Sequence, residues 1–191
     1  MPIDQLRKQL MLNPGKPVAE TARGNAAVSV VLRPGPDILF IRRSDREGDP
    51  WSGHMAFPGG RHSETDPDLQ RTAMRETWEE VGLSLDDVHL VGPLDDLVSP
   101  VRRASVASMV IRPYVFTLAE DPRLAPNEEV ASTHWFSLQR LISREGRGTM
   151  MYNWNDVTYE LPCLRLDGAT IWGITLRVVD DLLDRIAPES S

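Results

Sequence analysis

Residues 59–83 read GGRHSETDPDLQRTAMRETWEEVGL, and the run Arg75-Glu76-Thr77-Trp78-Glu79-Glu80-Val81-Gly82-Leu83 decides how the rest of the chain is understood. Glu76, Glu79 and Glu80 stand at positions i, i+3 and i+4, behind a glycine-rich turn and ahead of a glycine. At about 100° per residue they fall within roughly 100° of one another on a helix. Like charges crowded on one face repel unless something cationic neutralises them. Hard oxygen donors at this density suit Mg²⁺ or Mn²⁺, which take carboxylates together with phosphate oxygens. A solvated acidic helix face is the other reading of the same spacing.

The flanking residues bound that helix. Asp66 or Thr65 can serve as N-cap, and Pro67 suits the first helical position, where a missing N–H costs nothing. Gly82 stands where a left-handed C-terminal cap belongs. The spacing therefore predicts a helix over 67–81. Leu69, Ala73, Met74, Thr77, Trp78 and Val81 complete its circumference, leaving an apolar flank for packing and an acidic flank for chemistry. Arg75 adjoins the acidic flank and can hold the glutamates while balancing their charge.

The pattern Arg-Glu-x-x-Glu-Glu-x-Gly-Leu behind Pro58-Gly59-Gly60 resembles the signature of the Nudix hydrolases. Arg43-Ser44 and the segment Gly53-His54-Met55-Ala56-Phe57-Pro58-Gly59-Gly60 resemble the extended motif of the coenzyme A diphosphatase branch. The likeness covers about residues 38–83. Weaker similarity continues at Glu128-Glu129-Val130 and Ile171-Trp172-Gly173-Ile174-Thr175. The resemblance implies an α/β fold, with a mixed sheet in an α/β/α sandwich. It also implies metal-dependent hydrolysis of a nucleoside diphosphate linked to another group. Coenzyme A or acyl-CoA is the leading substrate. ADP-ribose or a nucleotide sugar is the alternative, and a non-catalytic nucleotide-sensing module is a reading of another class. Retention of Arg75, Glu76, Glu79 and Glu80 together argues against the last, because a binder needs no full metal set.

Carried onto this chain, the resemblance makes Glu76, Glu79, Glu80 and the backbone carbonyl of Gly60 the metal ligands, with Mg²⁺ or Mn²⁺ as cofactor. Glu80, Glu129 and Arg75 are the catalytic candidates. The general base lies either on the box helix or in the loop at Glu128 and Glu129, of which Glu129 aligns better. Arg42, Arg43, Arg46 and Arg61 are candidate phosphate contacts, since a guanidinium offers a fixed fork of donors; Arg43, inside the matched motif, is favoured. Two departures stand out. The family's glutamate eight residues before the arginine is Pro67 here, and Asp66 is read as its substitute. Trp51 replaces an expected histidine, and Glu47-Gly48-Asp49-Pro50 interrupts the basic run.

Composition narrows the setting. A chain of 191 residues, 41% hydrophobic, can bury one core as a single domain over 1–191. Within it, 1–24 reads as an N-terminal helix and linker, 59–83 as the Nudix box and 173–187 as a C-terminal helix. A lone cysteine, Cys163, allows no internal disulfide, and its apolar surroundings make it a core thiol. The N-terminus lacks the apolar run of a signal peptide, and no segment approaches the ~20 apolar residues a membrane span needs. A cytoplasmic location is expected, with no membrane partner. The net charge of −7 argues against nucleic acid as partner; it does not exclude a small nucleotide-containing diphosphate. The resemblance leaves room for a homodimer, with no residue marking its interface.

Along the chain, 26–33 and 38–41 read as a hairpin around Pro34-Gly35-Pro36-Asp37. Residues 89–93, 107–118, 133–136 and 157–166 are further strand candidates. Pro113 predicts an edge, a bulge or a bend in the second of these. A short helix is expected over 138–143 and a packing helix over 173–186. His54 and His62 lack metal-ligand spacing and read as structural or surface residues. Trp51 and Phe57 read as core or lid packing, and the cluster Met150-Met151-Tyr152-Asn153-Trp154 as a buried loop or dimer contact.

Overall fold

A hairpin that opens shortly after its turn sets the architecture. The structure, a computed structural model, describes residues 3–18, 24–49, 51–99, 109–154 and 157–187. Helix α1 (Ile3–Leu12) precedes β1 (Gly24–Arg33) and β2 (Asp37–Arg43), which form the expected antiparallel hairpin. Its arms pair only at Leu32↔Ile38 and Arg33↔Asp37. Beyond that they diverge, and β3 (Met55–Ala56) and β4 (Gly59–Arg61) enter between them. β3 pairs with Ile41 and Arg42 of β2, whereas β4 pairs with Ala26, Ala27 and Val28 of β1. The Ser29 N–H donates to Pro58 O at 2.8 Å and closes the junction.

Helix α2 (Leu69–Val81) follows, then β5 (Leu90–Pro93), β6 (Leu97–Val98) and β7 (Met109–Thr117), which runs parallel to β1 along nine paired positions from Gly24↔Met109 to Leu32↔Thr117. β8 (Val130–Ser137) lines the outer edge of β2 and leads into the short α3 (Leu138–Ile142). These strands make one mixed eight-stranded sheet. A separate antiparallel sheet holds β9 (Arg147–Trp154), β10 (Val157–Leu166) and β11 (Ala169–Trp172), after which α4 (Gly173–Ile186) ends the described chain.

Period-two alternation on the central strands produces the layers. Ala27 and Val31 of β1, Leu39 and Ile41 of β2, and Tyr114 and Phe116 of β7 share one core with Ala73, Met74 and Val81 of α2. The intervening residues Val30, Leu32, Ile38, Phe40 and Val115 face the opposite core, with Leu6 and Leu10 of α1 and Val179, Leu182 and Leu183 of α4. The α/β/α sandwich follows directly. Leu164, Leu166 and Ile171 of the smaller sheet belong to that second core, so both sheets share it. Among the described residues, no helix is long and apolar enough to cross a membrane.

Several local expectations need correction. α2 starts at Leu69, two residues after the predicted start, and its N-cap is Asp68, whose Oδ1 accepts from Arg71 N at 2.8 Å. Asp66 is committed to Arg75, Thr72 and the Ser63 N–H, and cannot cap. Gly82 does terminate the helix, with φ +68°. Trp78 lies outside the apolar flank and is 58% exposed. Pro113 is on no edge: it sits between β1 and the β5–β6 pair, facing the interval between their registers, where no N–H is needed for pairing. Leu94 N donates instead to its carbonyl. The Met150–Trp154 cluster is a strand, alternately half-buried and exposed, rather than a buried loop. Residues 107–108 of the expected strand and 19–23 of the expected linker lie outside the described residues.

Removing the observed cap should be measurable without touching the acidic face. Asp68→Ala is expected to lower the unfolding free energy by about 1 kcal/mol in urea titration; an unchanged midpoint would show that the helix start needs no cap.

Candidate active site

The segment held between the splayed arms places Gly59 and Gly60 against β1 and beneath α2. A Cβ on Gly59 would lie 2.3 Å from Ala27 O, so the strand pairing itself excludes a side chain there. A Cβ on Gly60 would lie 2.4–2.6 Å from the carboxyl atoms of Glu76. Only glycine lets the turn backbone approach that carboxylate so closely. One turn further along α2, Glu80 is buried, 4% exposed, and its Oε2 accepts from the Gly59 N–H at 2.9 Å. Burial pushes the Glu80 carboxyl up to about 7. The Gly59 N–H opposes this; the charge of Glu76 adds to the rise, Arg43 opposes it and Glu129 adds to it. Burial also raises Glu76, against the pull of Arg75.

Arg75 organises the exposed side of this face. Its Nε and Nη2 donate to Asp66 Oδ1 and Oδ2, each at 2.9 Å, in a two-toothed pair. Nη1 donates to Glu76 Oε1 and Glu79 Oε2, also at 2.9 Å each, and Nη2 reaches Arg61 O at 3.2 Å. Arg75 holds Asp66 well below the usual carboxylate range, helped by the Ser63 N–H and the Thr72 hydroxyl against the cost of burial. Asp66 thus occupies the structural place of an acid paired with Arg75, although it stands nine residues before it.

Among the described residues, no three His, Cys, Asp or Glu side chains close on one point as a preformed metal cage. Their present partners explain this: Glu80 faces an N–H, while Glu76 and Glu79 face Arg75. The donor chemistry nonetheless fits a hard divalent cation. Glu80 is a desolvated carboxylate with two carboxylates in electrostatic reach, and Glu76 lies on the bare backbone of Gly60. Glu79, half exposed, is the outer member of the three.

The loop carrying Glu128 and Glu129 is fastened to the end of α2. Ala125 N donates to Val81 O at 2.8 Å, and Asn127 N to Glu80 O at 2.9 Å. Glu129 lies within the electrostatic reach of Glu80 and pairs with Arg46, Oε1 to Nη1 3.1 Å. Glu128 is almost wholly exposed. Of the arginines, Arg43 shares the α2 side of β2 with Ile41 and acts electrostatically on Glu80, while strand alternation turns Arg42 to the other face, beside Gly53. Arg61 is exposed at the end of β4, close to Arg75 through its carbonyl.

Other sequence candidates take structural places. His62 bonds Thr72, and His54 meets Trp172 edge-on at 4.8 Å. Phe57 packs on Phe40 in the core, whereas Trp51 is half exposed. Two features escaped sequence reasoning: the contact of Asp49 with Arg43 and the pairing of Arg46 with Glu129. Both are made by a loop without periodicity, so no spacing signals them.

Glu80→Gln tests the electrostatic reading of this site. Because the folded carboxyl titrates near 7 rather than at the ordinary 4.5, its ionisation opposes folding as pH rises between those values. The metal-free variant should therefore gain thermal stability over the parent chain across that window and lose any Mg²⁺-induced rise in melting temperature. Equal melting temperatures at every pH, with the Mg²⁺ response retained, would contradict it.

Comparison with known proteins fits this geometry. The NUDIX domain family model matches residues 23–154. A Schizosaccharomyces pombe relative, Uncharacterized protein C14C4.10c, is 42% identical over 113 residues, 58% of this chain but 34% of that protein, so the chain spans about a third of that relative's length. Mitochondrial coenzyme A diphosphatase NUDT8 of Homo sapiens is 32% identical over 171 residues, covering 86% of this chain and 70% of that protein. In fold, the chain is similar to the NUDIX domain of Shewanella oneidensis NrtR, solved with ADP ribose, at TM-score 0.59 and 16% identity, over 94% of this chain and 98% of that one. With the domain match extending from the first strand through the acidic helix to β9, the chain belongs to the Nudix hydrolase family.

Proposed function

We propose that this Nudix hydrolase cleaves the diphosphate of coenzyme A or an acyl derivative, yielding 3′,5′-ADP and 4′-phosphopantetheine or its acylated form. The observation that carries the chemistry is the packing of Glu76 and Glu80 on the backbone of Gly60 and Gly59. The substrate class is supported by the 32% identity with a human protein named as a coenzyme A diphosphatase. Nudix hydrolases generally use divalent metal ions; Mg²⁺ or Mn²⁺ is our reading here. Glu76, Glu79, Glu80 and the Gly60 carbonyl would hold the ion, which screens the charge of the diphosphate and acidifies a bound water.

The chain's own groups have the following parts in this reading. Arg75 restrains Glu76 and Glu79 and is itself anchored by Asp66, so that the carboxylates stay in place as substrate enters. Arg43 donates to a phosphate oxygen. Water attacks one phosphorus, its proton passes to Glu129, and the bond from that phosphorus to the bridging oxygen breaks. The bridging oxygen leaves with the other phosphate. Glu80 is the competing base, since its raised pKa also suits proton transfer near neutrality. The core common to both sheets supports treating residues 1–191 as one catalytic domain. A cytoplasmic setting fits the lone, buried Cys163. A second reading, ADP-ribose or a nucleotide sugar as substrate, is favoured by the acidic interruption before Gly53, because Asp49 partly neutralises Arg43.

A panel of coenzyme A, acetyl-CoA, ADP-ribose, nucleotide sugars and nucleoside triphosphates, each with Mg²⁺ or Mn²⁺, separates these readings by product mass. Release of phosphopantetheine ahead of all other products is expected. Strong cleavage of ADP-ribose with coenzyme A left intact would transfer the assignment to the second reading. In the same assay Glu129→Gln should lower kcat by roughly 10²–10⁴-fold, the usual worth of a positioned base; an unaltered kcat would assign the base to the helix.

A further inference from the structure

The loop from Ser44 to Gly53 carries an acid that the proposed chemistry does not use. Asp49 is inward-facing, with a side chain 18% exposed. Its Oδ2 accepts from Arg43 Nη2 and its Oδ1 from the Trp51 N–H, each at 3.0 Å. The surrounding loop is tied to itself. Asp49 N donates to Arg46 O at 3.1 Å, Ser52 N donates to Asp49 O at 3.2 Å, and the Ser52 hydroxyl bridges the backbone N and O of Arg46. Its two ends are joined by Gly53 N to Arg43 O at 3.1 Å and Arg43 N to His54 O at 3.0 Å. Asp49 is therefore preorganised before it meets the guanidinium.

Arg43 is hydrogen-bonded to one acid and within electrostatic reach of a second. Its charge acts on Glu80, and Asp49 holds it through Nη2 at 3.0 Å. Its Nε is buried and has no hydrogen-bond partner. A guanidinium free to swing would fall onto Glu80 and compete with any cation that carboxylate serves. We propose that Asp49 is a positioning residue for phosphate binding: it tethers Arg43 through Nη2, keeping the guanidinium off Glu80 and leaving its terminal donors, rather than the buried Nε, to a substrate phosphate. This rests on the reading of Arg43 as a phosphate contact. The acid that interrupts the basic run is, on this view, part of the phosphate site. It acts through Arg43 and touches no substrate.

A double-mutant cycle tests it without requiring turnover. The probe is α,β-methylene-ADP, a nucleoside diphosphate with an uncleavable bridge, titrated calorimetrically with Mg²⁺ into the parent chain, Asp49→Ala, Arg43→Ala and the double variant. Asp49→Ala should weaken binding roughly tenfold or more, the usual worth of a hydrogen bond to a charged group, and should add almost nothing in the Arg43→Ala background. Additive losses would overturn the role of Asp49 while leaving Arg43 as a phosphate contact. Binding unaffected by Arg43→Ala, or absent from the parent chain, would overturn the reading of the site and this proposal with it. Should Asp49→Ala fail to fold, Asp49→Asn replaces it in the cycle with the same expected coupling. On whichever diphosphate the chain turns over, Asp49→Ala should raise KM by a similar factor with kcat nearly constant; a fall in kcat at constant KM would count against tethering.

Discussion

The backbone of Gly60 lies so close to the Glu76 carboxyl of α2, and that of Gly59 to Ala27 and Val28 of β1, that neither position has room for a Cβ as packed, and the site depends on that close approach. It requires β1 and β2 to separate after two paired positions, so that β3 and β4 can fill the gap. It also requires α2 to lie on the face of β1 that presents Ala27 and Val31. Small residues there bring the helix low over the sheet, and the hydroxyls of Ser29 and Thr77, 2.7 Å apart and both reaching Ala73 O, lock it at that height. Sheet topology and glycine chemistry thus act on one point. There the last turns of α2 meet an N–H of the turn and a bare stretch of its backbone.

Electrostatics divides the acidic face. Glu80 is inside, held by one backbone N–H, with Arg43 in electrostatic reach. Glu76 and Glu79 are balanced by Arg75, whose geometry is fixed by Asp66 rather than by the glutamates it serves. In the proposed reading this division leaves the outer acids paired until a cation arrives. The cationic partner of the outer acids is anchored, so it can release them without leaving. Around the rim, Arg43 and Arg46 extend the same logic, each joined to an acid at 3.0 and 3.1 Å respectively.

Much of this is legible in the sequence. Alternation in 26–33 and 38–41 announced the central hairpin, and the spacing of Val178, Leu182 and Ile186 announced α4, because burial on one face imposes a period that sequence records. The acidic helix and its glycine stop were equally plain. The helix start is not: Asp66 or Thr65 suits a cap by residue type, but the Asp66 carboxylate is taken by Arg75, Thr72 and the Ser63 N–H, and Asp68 caps instead. The short strands β3, β4 and β6 leave no signal because two or three residues are too few to show a period, and β9 has none because its alternation is between half-buried and exposed positions rather than apolar and polar ones. Pro113 misled for a related reason: a proline is tolerated inside a sheet where the neighbouring strands leave a gap, and the gap belongs to β5 and β6 rather than to β7.

The sequence by itself determined the acidic helix, the glycines before it and the alternation that buries both faces of the central strands. Each of these follows from local geometry: a fixed turn angle per residue, a backbone that needs no Cβ, and a pleat of period two. Tertiary structure alone decided which carboxylate is buried and which acid lies against Arg43. Glu76, Glu79 and Glu80 are chemically identical, and Arg42 and Arg43 are neighbours. What separates them is the depth of α2 over β4 and the face of β2 on which each side chain emerges. The face follows from the pleat, but the depth of the helix and the return of Asp49 onto Arg43 are set by packing, and no local pattern encodes them.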